Sequence, residues 1–127
     1  MKTTRFLPLL LLFVLPCFLG AQDIVGAWAI TSFTDEAGQP FPATITFQGD
    51  GNFSVDMGAD GKVDIEGTFT LADGIISITD TNADSPCKGM VGKYRMAVAG
   101  DTATATMVSD PCKARGGDGT PMTMKRK

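Results

Sequence analysis

Histidine is absent from the 127 residues of this chain, and its absence removes several kinds of chemistry. Histidine is the commonest general base in enzymes and the commonest side-chain ligand of transition metals. The Ser, Thr and Cys side chains therefore have no evident partner to activate them as nucleophiles. We accordingly expect a protein without catalytic activity, without a cofactor and without a bound metal.

Long apolar runs are scarce and occur only at the N-terminus. Lys2 and Arg5 form a positive region, and an apolar run extends from Phe6 to Leu19. This pattern is typical of a secretory signal peptide, and the run is too short for a comfortable membrane span. We predict a signal peptide over residues 1–21 and one exported domain over residues 22–127, either periplasmic or secreted.

A lipid anchor is the alternative to simple cleavage, because Cys17 lies near the end of the apolar run. Lipid attachment to an outer-membrane lipoprotein needs a small residue before the cysteine, and Pro16 is a poor substitute, so we favour cleavage. Removing the two basic residues of the signal lowers the net charge from −3 to −5. An acidic domain is a poor candidate for binding nucleic acid or anionic membranes.

Cysteine is also scarce, and loss of the signal leaves only Cys87 and Cys112. An even pair in an oxidising compartment predicts a disulfide rather than a reactive thiol. The two cysteines end two copies of one pattern, at residues 67–88 and 92–113. Each copy begins with Gly-x-aromatic, continues as strand, turn and strand, and ends with Pro-Cys-Lys. A disulfide between the cysteines would therefore join the ends of the two copies.

Helical periodicity is missing, and apolar residues alternate with polar ones instead. In the clearest segment Val63, Ile65, Gly67, Phe69 and Leu71 share one face. Similar segments separated by Gly- and Asp-containing turns predict eight antiparallel strands. Because closure removes exposed edges, we predict an all-β, eight-stranded antiparallel up-and-down barrel, with an open two-sheet sandwich as the alternative.

Short motifs at both ends of the domain resemble a known family. Gly26-x-Trp28 on the first strand and the segment from Asp110 to Arg115 are similar to bacterial lipocalin-like domains of the calycin group. The resemblance covers most of the mature chain as a strand pattern and implies a lipocalin-like barrel. In lipocalins a basic residue packs over the tryptophan at the closed end. The resemblance implies Arg115 for that role, with Arg126 as the second candidate.

The resemblance and the one-sided apolar strands together imply a binding protein that holds a small apolar ligand inside the barrel. The predicted lining consists of inward-facing side chains: Ile45, Phe47, Phe53, Val55, Phe69, Tyr94 and Met96. A protein-binding module is the alternative, because small calycin-like barrels also include periplasmic hydrolase inhibitors. Residues 34–42 and 80–89 would then form the surface that contacts the partner.

Two groups of side chains resemble metal ligands, but a simpler account exists for each. Asp56, Asp60, Asp64 and Glu66 are closely spaced, yet the glutamate that a calcium loop starting at Asp56 needs at its twelfth position is missing. We interpret these carboxylates as turn and surface residues. Met122 and Met124 have the spacing for Cu(I) on one strand face, but we favour a role in the core or pocket lining.

Overall fold

The alternating pattern forms a barrel in the computed structural model, which describes residues 21–127. That part of the chain begins with a short 3-10 turn, Ala21–Ile24, and includes one short helix, α1 (Lys113–Gly116). It contains eight strands: β1 (Gly26–Ile30), β2 (Ala43–Phe47), β3 (Asn52–Met57), β4 (Ile65–Ala72), β5 (Ile75–Asp80), β6 (Val91–Ala99), β7 (Thr102–Ser109) and β8 (Met122–Arg126).

Each strand pairs in antiparallel orientation with the next, and β8 pairs with β1 to close the barrel. In the closing pair Trp28 lies opposite Arg126, and Ile30 lies opposite Met124. The predicted all-β up-and-down barrel is therefore confirmed. The alternative of an open sandwich is wrong, because the hydrogen bonds between β1 and β8 leave neither strand as a free edge.

Strand alternation places the apolar side chains inside the barrel. On β2 every second residue is buried, and on β3 Phe53 and Val55 continue this inner face. Phe47 and Phe69 meet edge to face with ring centroids 5.0 Å apart. Val63 departs from the predicted inward pattern, because it precedes β4 in a loop and is 53% exposed.

Gly67 on β4 allows the neighbouring strands of the barrel wall to pack closely against it. A Cβ atom at Gly67 would lie 2.1 Å from the carbonyl oxygen of Thr79 and 2.4 Å from the ring of Phe53. Neither distance is compatible with a side chain, so glycine is required where β4 crosses close to its neighbours. The first Gly-x-aromatic motif of the repeat thus makes room for an aromatic ring from the adjacent strand.

Trp28 closes one end of the barrel. Its side chain is fully buried, and its indole N–H donates to the carbonyl of Ile24 over 2.8 Å. The guanidinium of Arg126 lies 4.2 Å from the centre of the indole ring. Arg126 also donates to the carbonyls of Val25 and Asp23, which ties the start of β1 to the end of β8.

The prediction that Arg115 covers Trp28 is wrong, and the second candidate, Arg126, occupies that position. The cause is topological. In an up-and-down barrel the start of β1 and the end of β8 lie at the same end, whereas the end of β7 lies at the opposite end. Arg115 follows β7 on α1 and is therefore carried away from the tryptophan.

Four longer connections lie at the end opposite Trp28, and we call this the loop end. They comprise residues 31–42, 58–64, 81–90 and 110–121. No helix within residues 21–127 is long and apolar enough to cross a membrane. Apart from Ala21, the predicted signal peptide and the Cys17 alternative fall outside the described residues and stay predictions.

Candidate ligand-binding cavity

A cavity of about 350 Å³ extends from the barrel interior to the loop end. Its volume falls near the lower limit of typical small-molecule pockets. Six side chains of the predicted lining do line it: Ile45, Phe47, Phe53, Val55, Tyr94 and Met96. Phe69 does not line the cavity but lies in the surrounding core, where its ring and that of Phe47 pack edge to face.

Other strands also contribute lining residues, including Met122 and Met124, for which the sequence analysis favoured a role in the core or pocket lining. Ile76 and Ile78 come from β5, and Met122 and Met124 come from β8. Ala105 on β7 lies opposite Met96 on β6, and its small side chain fills little of the space between strands. Because protein interiors are normally close-packed, such small inward residues are one source of the free volume.

Polar side chains are confined to the loop end of the cavity. Asp80 ends β5 on the same face as Ile76 and Ile78, and it is only 3% exposed. Ser85 donates to Asp80 Oδ2 over 2.6 Å, and its hydroxyl oxygen accepts the backbone N–H of Cys87. Sequence reasoning missed Asp80, although the alternation of β5 was a signal that could have placed it inside.

Arg115 joins the elements around this polar end. Its guanidinium donates to both carboxylate oxygens of Asp110, over 2.7 and 3.0 Å, and to Asp80 over 3.0 Å. It also donates to the carbonyl of Met90 over 2.8 Å. The side chains of Asp80 and Asp110 are 4% and 0% exposed, so Arg115 compensates two buried carboxylates.

Asp110 also accepts hydrogen bonds from groups other than Arg115. The hydroxyl of Tyr94 and the backbone N–H of Cys112 also donate to it. Burial by itself would raise the pKa of Asp110, but hydrogen bonds from Arg115, Tyr94 and Cys112 outweigh burial and lower it. Burial, reinforced by Asp110, raises the pKa of Tyr94, so the phenol stays neutral and donates its proton.

Gly92 makes room for this ion pair on the barrel wall. A Cβ atom there would lie 2.5 Å from Asp110 Oδ2 and 3.0 Å from the guanidinium of Arg115. Tyr94, two residues later, supplies the hydroxyl that binds the same carboxylate. The second Gly-x-aromatic motif of the repeat therefore forms part of the polar end of the cavity.

The predicted Cys87–Cys112 disulfide is confirmed, with a Cα–Cα distance of 5.5 Å. It joins the 81–90 loop to the 110–121 loop, and the hydrogen bond from Arg115 to Met90 joins the same two loops. Cys87 itself lines the cavity. The bridge therefore fixes the two loops that border the polar end.

The structure brings together three carboxylates of the acidic group that the sequence analysis considered, those of Asp56, Asp60 and Asp64. One oxygen atom from each carboxylate lies within 4.8 Å of the others. Their oxygens accept backbone N–H groups, from Asp60 and Gly61 to Asp56, and from Met57 to Asp64. These bonds hold the connection between β3 and β4, which is the turn role that we expected of them.

Comparison with models of protein families and with curated proteins finds no match for this chain. The resemblance to calycins is supported only by the architecture, because the closed antiparallel barrel fits a calycin-like fold. The position of Arg126 over Trp28 at one barrel end agrees with the tryptophan motif from which the resemblance began.

Proposed function

We propose that this protein is a non-catalytic, exported binding protein that holds a small, mainly apolar molecule inside a lipocalin-like barrel. The cavity is the observation that supports this proposal, because aliphatic and aromatic side chains from several strands line it and polar groups occupy one end. Transfer of apolar ligand surface into such a cavity contributes about 25 cal/mol per Å² buried.

The disulfide supports the proposed location. Disulfides persist in oxidising compartments and are rare in the cytosol. The Cys87–Cys112 bridge thus indicates an oxidising environment. Together with the predicted signal peptide, it supports a periplasmic or secreted protein.

Binding of a neutral fluorescent apolar probe, N-phenyl-1-naphthylamine, tests the proposal. We expect saturable enhancement of probe fluorescence with the native domain. Ala105→Leu adds an isopropyl group that projects into the cavity, and it should weaken probe binding by about tenfold or more. Thr106→Leu is the matched control, because the neighbouring side chain on β7 is exposed and the same residue is introduced.

Folding of both variants is verified by thermal unfolding before binding is compared. Loss of binding in Ala105→Leu alone supports occupancy of the barrel. Equal binding by the native domain and both variants would contradict it, as would no saturable binding at all. The protein-binding alternative, acting through residues 34–42 and 80–89, would then become the leading hypothesis.

A further inference from the structure

The polar end of the cavity is acidic. Within residues 21–127, the charged residues that line the cavity are Asp80, Arg115 and Asp118. Asp110 lies behind them, with its carboxylate bound to Arg115. The buried cluster of Asp80, Asp110 and Arg115 contains two negative charges and one positive charge, so its net charge is −1. The exposed Asp118 adds a further negative charge at the loop end.

Arg115 is the one cation that lines the cavity in the described part of the chain, and most of its N–H groups already have partners. Arg115 makes four hydrogen bonds, to Asp110, Asp80 and the carbonyl of Met90, which use all but one of its N–H groups. An anionic head group could accept only the one remaining N–H of Arg115, next to the carboxylate of Asp80, unless it displaced a buried carboxylate from the guanidinium. The first course places two negative charges side by side, and the second leaves a buried charge without its partner, so both are costly.

The remaining polar groups mostly offer acceptors. Tyr94 donates its hydroxyl proton to Asp110, and Ser85 donates its proton to Asp80. Thr120 donates to Asp118 over 2.6 Å. With their protons committed, these hydroxyls offer lone pairs to a ligand. The carboxylates of Asp80 and Asp118 also keep acceptor sites, whereas Asp110 already accepts four hydrogen bonds. A head group rich in N–H donors would satisfy these acceptors.

We infer that the ligand is an amphipathic cation, whose apolar body fills the barrel and whose ammonium-type head group lies beside Asp80 at the loop end. This inference rests on the proposed function and specifies the chemical class of its ligand. Electrostatic complementarity determines which head group is selected, while the apolar lining supplies affinity that all head groups share.

Competition between three ligands with the same apolar chain tests the inference. Decylamine, decanol and decanoate are used at pH 7 to displace N-phenyl-1-naphthylamine from the full domain with its disulfide intact. We expect the order amine, alcohol, acid, with the amine about tenfold or more tighter than the acid. Ala105→Leu should weaken all three, which shows that displacement occurs in the barrel.

Neutralising the acidic residues separates a local charge effect from the overall acidity of the protein. Asp118→Asn should lower the preference for amine over alcohol by about two- to threefold, since Asp118 is exposed. Asp80→Asn should lower it further. Asp101→Asn removes the same charge from the turn between β6 and β7, at the opposite end of the barrel, and should change nothing. If Asp80→Asn fails to fold, Asp118→Asn still provides the comparison.

The possible outcomes distinguish the two proposals. If decanol binds and decanoate binds as tightly as decylamine or more tightly, the cationic ligand is overturned and the binding function stays in place. A preference for amine that Asp101→Asn reduces as much as Asp118→Asn would also overturn it, because general acidity would then be the cause. No displacement by any of the three ligands, together with no probe binding, would overturn both proposals.

Discussion

Replacing Arg115 with Met tests whether this arginine holds the loop end together. The substitution retains an unbranched side chain but removes four hydrogen bonds and both ion pairs. It leaves Asp110 and Asp80 buried without their cation. Removing one partner of a buried ion pair typically costs about 3–5 kcal/mol, which is a large share of a small domain's stability. We expect a loss of this size in the free energy of unfolding at pH 7.

The effect should depend on pH with a defined sign. In the native protein hydrogen bonds lower the pKa of Asp110 below its unfolded value of about 3.9. The resulting stability is present above that pH and is lost as the pH falls through the folded pKa. In Arg115→Met acidification removes the charge of Asp110, and with it the cost of burying that charge without a cation. The difference in unfolding free energy between native and variant protein should therefore shrink from pH 7 to pH 3.

Arg126→Met is the matched control, assayed by urea unfolding at both pH values. It removes a cation–π contact and two hydrogen bonds to carbonyls, so we expect a smaller loss of about 1–2 kcal/mol. Trp28 is the chain's single tryptophan, so Arg126→Met should alter native fluorescence whereas Arg115→Met should not. A loss below about 1 kcal/mol for Arg115→Met at pH 7, or one independent of pH, would refute the reasoning.

Two further predictions concern stability and are measured by urea unfolding. Replacing Cys87 and Cys112 with Ala opens a loop whose ends are 25 residues apart, and the chain-entropy estimate for such a loop is about 3.5 kcal/mol. A loss below about 1 kcal/mol would contradict a stabilising role for the bridge. Gly67→Ala places a methyl group against a backbone carbonyl and should cost about 3 kcal/mol or more. Gly49→Ala meets nothing within 4 Å, so equal losses in the two variants would show that the packing argument is wrong.

The barrel could be predicted because the alternation of apolar and polar residues within each strand already identifies which face points inward. A strand exposes alternate residues to opposite faces, so the period of two along β4 identifies the inner face without knowledge of its neighbours. Short turns then require adjacent strands to pair, and the cost of exposed edges favours closure. Val63 failed this pattern because residues 58–64 form a loop, where strand alternation does not apply.

The sequence around each arginine could not show which of them lies over Trp28. Arg115 and Arg126 both follow β7 in sequence, and both are basic residues near the end of the chain. The choice depends on the register between β1 and β8, which places Arg126 opposite Trp28. The family motif predicted a basic residue over Trp28, but only the pairing of β1 with β8 showed that this residue is Arg126.

The polar end of the cavity was partly within reach of sequence analysis. Asp80 continues the inner face of β5 after Ile76 and Ile78, so its burial could have been predicted. Its partner could not, because Arg115 lies 35 residues away and meets it only when the two loops come together. The cavity volume likewise depends on how side chains from several strands fit together, and this has no local signal.

Methionine methyl groups offer the most direct test of a ligand inside the barrel. Met57, Met96, Met122 and Met124 line the cavity, whereas Met90 is 42% exposed and does not. The protein is labelled with ¹³C at its methionine methyl groups and titrated with decylamine, and the NMR signals are followed. The account predicts saturable shifts among the four cavity signals with the Met90 signal unchanged. Saturable shifts of Met90 alone, or no shifts in any signal, would contradict a binding site inside the barrel.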